Sequence, residues 1–506
     1  MAGGFLPYEE PSIVEILILI SFFFFLSLAE WVSAKVIRAG IIGQIAVGII
    51  FGSPLADILK HKWQETFMAL GYVGLILIIF EGGLSARLDL LKQNFILSTV
   101  GAATGVLCPI GLSYLLLYLG FGYGPVETFI MGAALSATSL GTTFAVISSA
   151  SKSVDLSQTR VGSVLVSAAV IDDVVGLIML SVIHDLGHLS GSSSVNLGWL
   201  IGRPILASIV MTIVTPVVTK YFFAPIFRRF IEYHFAHFDH LSNIVLMTLV
   251  LSAFISIAAY AGTSILYGAF LAGTFLTYLP SKRPEGPFVV MSRQEGERNV
   301  NKSPTFVHTF EAYLLDVLEY LMAPIFFASI GFAIPFLQLW TGERIWKGIV
   351  YTLLMIVAKV LVGMWVPVWK SLSGLFLTPK QLWRKMRRQP AEPAEEPSAS
   401  DAAPEGTSEK PKGSSPWVPA LLLGSAMVAR GEIGLLIIEI GYNKTHYVTK
   451  EGFITGVWAI LLNTIIGPIT VGLLVKFHGK KLGEGEWGLQ KQIIPGREEG
   501  SQHEAV

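Results

Sequence analysis

Charge is what this chain of 506 residues has least of: Asp, Glu, Lys and Arg together make up 14% of it, against roughly 25% in ordinary soluble domains. Water cannot solvate most of such a chain. Cysteine is nearly absent too; the one copy, Cys108, excludes an internal disulfide and leaves the redox compartment undetermined. No GxxxxGK[ST] occurs, which removes a P-loop nucleotide site. The opening residues MAGGFLPYEE lack the basic region of a cleavable leader, so the first apolar run is expected to be retained. The net charge is zero, and no nucleic-acid partner or cofactor is expected.

Apolar residues are what the chain has most of, at 52%, together with 50 glycines. Stretches of roughly 17–25 such residues cross a bilayer as helices, and about thirteen are present. They lie near 12–29, 37–52, 67–84, 95–118, 127–149, 161–183, 198–219, 243–260, 263–279, 312–333, 346–369, 417–440 and 451–475. The expected fold class is therefore an all-α polytopic membrane protein. Of the 36 Lys and Arg residues, 27 fall on the inner side and 7 on the outer if the N-terminus is placed outside. The positive-inside rule supports that orientation, and an odd number of spans agrees with it. Residues 381–416, rich in Pro, Ala, Ser, Glu and Lys, have the composition of a disordered cytosolic linker within a transmembrane domain spanning 1–475. Residues 476–506 are expected to form a cytosolic tail.

The adjacent pair Asp172 and Asp173 sits in the apolar run 161–183, which holds no other charge. Each costs about 2.5–3.5 kcal/mol at the centre of a spanning helix, so the pair points to an ion or proton site. Neighbouring residues on a helix point about 100° apart, so one aspartate can meet an ion while the other meets a fixed cation. Lys359, alone in TLLMIVAKVLVGMW, is the candidate cation. Residues 132–146, GAALSATSLGTTFAV, offer Ser136, Thr138, Ser139, Thr142 and Thr143 where a helix is expected to break near Gly141. Close helix packing through small residues is the plainer alternative for this stretch. Residues 427–437, MVARGEIGLLI, put Arg430 and Glu432 beside Gly431 and Gly434 and suggest a second broken helix.

These interruptions fall in the fifth and twelfth spans. Each is the fourth member of a five-span unit, about 37–183 and 263–475, and an odd number of spans gives the units opposite orientations. Two inverted five-helix repeats with two crossing broken helices are the layout of secondary transporters. Glu81, in IIFEGGL, and Glu439 are further carboxylates near span ends, while His184 and His188 flank the outer end of the aspartate span.

The chain resembles the monovalent cation/proton antiporter superfamily from about residue 12 to 475. The carrying segments are GIIGQIAVGIIFGSP (40–54), GLILIIFEGGLSARLD (74–89), SATSLGTTF (136–144), AAVIDDVVGLI (168–178), GTSILYGAFLAG (262–273), PIFFASIGFAI (324–334) and ARGEIGLLI (429–437). It is most similar to twin-aspartate sodium/proton antiporters and to Kef-type potassium/proton antiporters. The resemblance implies that Asp173 binds cation (Na+, Li+ or K+) or proton in turn, and that Asp172 pairs with Lys359. It also implies that Thr138 and Ser139 belong to the first crossover; from the residues themselves, Arg430 and Glu432 are expected to support the second broken helix and Glu81 to have a lesser part. Exchange is expected to be electrogenic, the chain a homodimer in a lipid bilayer, and the activity transport rather than catalysis. A Kef-type potassium/proton antiporter and an organic-ion sodium symporter on the same scaffold are the alternative readings. An intramembrane aspartyl protease is excluded, because adjacent aspartates on one helix cannot face each other across a water.

Overall fold

Backbone buried in hydrocarbon must satisfy its own hydrogen bonds, which leaves helices as the economical solution for so apolar a chain. A computed structural model of the chain describes residues 8, 10–86, 91, 94–138, 159–187, 197–231, 239–280, 305–375, 416–483 and 487. Its helices, in order, are α1 (Ile13–Ile37), α2 (Gly40–Phe51), α3 (His61–Ser85), α4 (Phe95–Ser113), α5 (Pro125–Ser136), α6 (Arg160–Gly187), α7 (Leu197–Val218) and α8 (Asp239–Ala261). They continue as α9 (Ile265–Tyr278), α10 (Phe306–Tyr313), α11 (Ala323–Ala333), α12 (Gly342–Gly363), α13 (Trp365–Leu375), α14 (Trp417–Ala426), α15 (Glu432–Asn443) and α16 (Lys450–Gly483). The ends carry the signals their sequences advertise. Ser12 opens α1 in a reciprocal capping box with Glu15, and Gly262, at φ 82°, makes the tight turn from α8 to α9.

Nine helical stretches among the described residues are long and apolar enough to cross a bilayer, while Gly40–Phe51, Ile265–Tyr278 and Trp417–Ala426 are shorter. The expected thirteen spans are therefore not thirteen equal rods. The twelfth is split at residues 427–431, and the fifth ends at Ser136, earlier than the expected break near Gly141. At that end the carbonyls of Ser136 and Ala137 accept from the side chains of Lys359 and Arg430. The final helix runs to Gly483, so the tail begins later than 476. Of the expected linker 381–416 only Pro416 is described, and the rest lies outside the described residues, as do Ser139, Thr142, Thr143 and His188.

Packing sorts the helices into two bodies. In one, α1, α2, α3, α8, α9, α10 and α11 lie against one another; in the other, α4, α5, α6 and α12–α16 do. Each five-span unit divides in the same way, giving its first two spans to the first body and its last three to the second. Glycines let backbones meet inside the first body: a Cβ on Gly273 would stand 2.5 Å from the Phe80 carbonyl where α9 crosses α3.

Helix α7 joins the bodies in sequence and packs against both α6 and α9. Midway along it Ser208 and Thr263 hydroxyls share a 2.6 Å hydrogen bond, and Tyr267 donates to the Ser208 carbonyl at 3.3 Å. In the helical segment that follows, Arg228 donates to the carbonyls of Tyr278, Leu279 and Pro280 at 2.9–3.1 Å, capping α9. Among the described residues the two bodies meet where α6 lies against α9 and α11 against α15.

Candidate functional site

The second body is organised around a crossing of two interrupted helices. At the end of α5 the chain turns extended at Ala137 (φ −60°, ψ 132°), and between α14 and α15 it loses its helical bonds through Ala429–Gly431. The interruptions meet because Gly434 has no side chain; a Cβ there would lie 2.6 Å from the Ala134 carbonyl. Gly467 of α16 serves the same purpose from behind, with its missing Cβ 2.6 Å from the Ala429 nitrogen.

Asp172 and Asp173 occupy the middle of α6, beside this crossing. Asp172 is fully buried, and so is Lys359 of α12. The Lys359 ammonium donates to Asp172 Oδ2 at 3.0 Å, to Thr138 Oγ1 at 3.0 Å and to the Ser136 carbonyl at 2.6 Å. Three acceptors match the three N–H bonds of an ammonium, which is what a buried cation requires. Gly105 makes room for it, since a Cβ there would sit 3.3 Å from Nζ. Thr138 completes the group by donating its hydroxyl to the same Asp172 oxygen. The other oxygen, Oδ1, has no partner among the described residues.

Asp173 is held differently. It is partly exposed, and no hydrogen bond or ion pair within the described residues engages it. Glu432 and Lys359 are the charged neighbours whose fields reach it, along with Asp172 itself. The α15 first turn stands close by, with Ile433 Cγ2 3.3 Å from where a Cβ on Gly176 would be, one turn beyond the aspartates.

Arg430, the second broken helix's basic residue, is fully buried. It does not pair with Glu432; Nη1 instead donates to the carbonyls of Ala137 at 3.0 Å, Ser136 at 3.3 Å and Met427 at 3.4 Å. The end of α5 is thus capped by two cations, Lys359 and Arg430, as the negative pole of a helix favours. Glu432 occupies the first turn of α15, the positive pole. Glu81 stands apart, at the end of α3 near Glu311 and Glu319. Glu439 accepts from Asn443, and His184 lies 3.8 Å from Asp185.

Other buried polar residues went unread in the sequence. Glu127, at 3% exposure, accepts from the Thr449 backbone N–H at 2.8 Å and hydroxyl at 2.6 Å, stapling the start of α5 to the loop before α16. Its position three residues after Gly124 at a Pro-led helix start was the available signal. Tyr351 and Ser113 share a 2.7 Å hydrogen bond, which nothing in the sequence announces. Trp487 of the tail is 2% exposed; its carbonyl accepts from Val161 N–H at 3.3 Å, and Arg160 lies 4.9 Å over its ring. Among the described residues, no three His, Cys, Asp or Glu side chains are grouped to hold a metal ion.

The family described as "Sodium/hydrogen exchanger, transmembrane" matches residues 18–477. The chain belongs to this family. It is accordingly a multi-pass membrane transporter and not an enzyme, and the superfamily expected from the order of its motifs is the one found. A Na+/H+ antiporter of Enterococcus hirae is 24% identical over 449 residues, 87% of this chain and 92% of that protein. The Na+/H+-K+ antiporter GerN of Bacillus cereus is 22% identical over 444 residues, 87% of this exchanger-family chain and 91% of that protein. Among solved structures, the sodium proton antiporter MjNhaP1 of Methanocaldococcus jannaschii shares the fold, with a TM-score of 0.55 and 20% identity over 93% of this chain and 99% of that one.

Proposed function

We propose that this exchanger-family chain is an electrogenic antiporter of monovalent cations and protons, with Asp173 as the group that carries cation or proton in turn. The carrying observation is the asymmetry of the twin aspartates. Asp172 is fully buried and bound by Lys359 at 3.0 Å, whereas Asp173, one residue on, is partly exposed and uncommitted. With the cavity open to one side, Asp173 gives up a proton and takes a dehydrated Na+, Li+ or K+, aided by hydroxyl and carbonyl oxygens of the crossover at Thr138 and Ser139. Asp173 alone would exchange one charge for one charge. Electrogenic exchange needs a second titrating group, and Lys359 is that group. When the ion draws on Asp172, the ammonium loses its carboxylate and can release its own proton.

Alternating access then follows from the two bodies. The body holding α5, α6, α12, α15 and α16 carries the site, and its sparse contact with the other body, at α6–α9 and α11–α15, leaves it free to shift as a unit. Each net charge moved contributes about 2.3 kcal/mol per 100 mV of membrane potential. Relatives named as Na+/H+ and Na+/H+-K+ antiporters support Na+, K+ and H+ as the carried species, and a second copy of the chain is the partner this reading expects.

Proteoliposomes with an imposed pH gradient test the proposal. Addition of Na+, Li+ or K+ is expected to dissipate the gradient, with a rate that responds to a clamped voltage, and Asp173→Ala is expected to abolish it. A voltage-insensitive rate would remove the electrogenic step, and response to K+ alone would favour the Kef-type reading. Silence with every monovalent cation would point to an organic-ion symporter instead.

A further inference from the structure

Two fully buried side chains of the charge-bearing body have hydrogen-bonding atoms without a partner among the described residues. Asn463 of α16 is 0% exposed, and neither its Nδ2 nor its Oδ1 has a partner among the described residues. Arg430 uses Nη1 on three carbonyls but leaves Nε and Nη2 unpartnered there. Folded proteins leave few such groups without a protein or water partner, because each one stranded in an apolar interior destabilises the fold.

Helix register brings these atoms to one place. Helix α16 runs beside α5: a Cβ on Gly452 would run into Glu127 Oε1, and one on Gly456 would lie 3.7 Å from Met131 Cε. At about 1.5 Å of rise per residue on both helices, the end of α5, where Arg430 Nη1 is bound, comes level with the turn of α16 that holds Asn463. On α16 itself Asn463 lies one turn before Gly467, which abuts the Ala429 nitrogen. It is also next to Thr464, whose hydroxyl donates to the Arg430 carbonyl at 2.9 Å. Residues one turn apart share a helix face, so Asn463 faces the interrupted segment from which Arg430 springs. Tyr351 of α12 borders the same helix: it bonds Ser113 at 2.7 Å, whose hydroxyl would lie 3.2 Å from a Cβ on Gly132, one turn before Ser136.

We propose that Asn463 and Arg430 enclose a site for ordered water at the back of the helix crossing, and that Asn463 positions Arg430 through it. The donor and acceptor set selects water over an ion. Arg430 offers only donors, whereas Asn463 offers both donors and an acceptor. An anion would meet the donors but face the Asn463 carbonyl oxygen, and a cation would be repelled by the guanidinium. Water accepts from Nε, Nη2 or Nδ2 and donates to Oδ1, so about one or two molecules complete the set. Fixed in this way from behind, the Arg430 guanidinium stays on the carbonyls of Ser136 and Ala137. These are the residues that lead into Thr138 and the Asp172–Lys359 pair.

The test is radiolytic labelling of the full-length protein in lipid nanodiscs with 18O-water, since radicals born from a bound water mark buried side chains beside it. Tyr351 and Met427, both 0% exposed, are expected to take up label in the wild type. In Asn463→Leu, similar in size but without polar atoms, the label is expected to fall several-fold and exchange to slow. Asn463→Ser, whose hydroxyl can still hold water, is expected to restore both. If Asn463→Leu fails to fold, the wild-type labelling and the Asn463→Ser comparison still decide. Absence of label on both reporters in the wild type overturns the water site, as does undiminished label in a folded Asn463→Leu. Slow exchange in Asn463→Ser with full label overturns the positioning role.

Discussion

The two bodies of this transporter bury different things. Among the described residues, the fully buried charged side chains, Glu127, Asp172, Lys359 and Arg430, all belong to the body built from α4–α6 and α12–α16. The other body buries polar groups as well, such as Gln44, Gln64, Thr309 and Ser329, but none of those charged residues. A buried charge costs several kcal/mol unless it is paired and hydrogen-bonded, so a fold concentrates such groups where they are used. The difference separates a charge-bearing body from one that serves as frame, held by glycine-mediated helix contacts and hydroxyl bonds. Helix α7 is bound to the frame through Ser208 and Tyr267, and the segment that follows it through Arg228.

Substitutions that strike only one body are the way to break this contrast. The largest effect is expected from Asp173→Ala, with complete loss of cation-driven proton movement in proteoliposomes. Gln64→Leu, which removes frame hydrogen bonds to Ser53 and the Leu59 carbonyl, is expected to lower thermal stability and keep exchange. Activity in the first or inactivity in the second would dissolve the division of labour. Next comes Lys359→Met, which leaves Asp172 buried without its cation. A loss of about 3–5 kcal/mol is expected from such a broken pair, read as a lower melting temperature in detergent, with recovery in the double variant that adds Asp172→Asn. No recovery would mean that the pair is not the source of the loss.

A smaller effect is expected at the crossing. Gly434→Val places atoms on the Ala134 carbonyl, already 2.6 Å from a Cβ at that position, and overpacking of this kind destabilises by about 1–3 kcal/mol. The corresponding frame change, Gly273→Val against Phe80, is expected to lower the melting temperature similarly but to slow exchange less. Equal slowing in both would show that the frame takes part in the rate-limiting step. The smallest effect belongs to Trp487→Ala. The tail can detach locally, so the cost cannot exceed its own docking energy and the melting temperature should barely move. Faster amide hydrogen exchange at Val161, whose N–H the Trp487 carbonyl accepts, is the sensitive readout, and an unchanged rate there would argue against the contact.

Much of the site was readable before any coordinates. An aspartate pair and a lysine inside long apolar runs are too costly to be incidental, and the Gly-flanked Arg430 and Glu432 marked a break correctly. Arg430 and Glu432 were both expected to support the second broken helix, and no ion pair among the described residues joins them. Arg430 took the free carbonyls of a different segment, and sequence spacing cannot show which helix end will lie opposite. Asn463 and Tyr351 gave no signal, because a lone amide or phenol in an apolar run reads the same whether it faces lipid, a neighbour or water. Trp487 was hidden for another reason, since a tryptophan in a polar tail carries no periodicity to reveal a docked side chain.

Sequence alone determined that the chain is helical and crosses a membrane, because hydrocarbon leaves backbone polar groups no partner but one another. It also singled out Asp172, Asp173 and Lys359 as candidate site residues, because each charge in such a run carries an energetic cost. Tertiary structure alone decided that Thr138 and the Ser136 carbonyl join Asp172 around the Lys359 ammonium. It decided too that the two breaks meet at Gly434 and that the helices divide into a frame and a charge-bearing body. These outcomes depend on distances of a few ångströms between segments hundreds of residues apart, where hydrogen-bond geometry and close packing, not composition, select the partner.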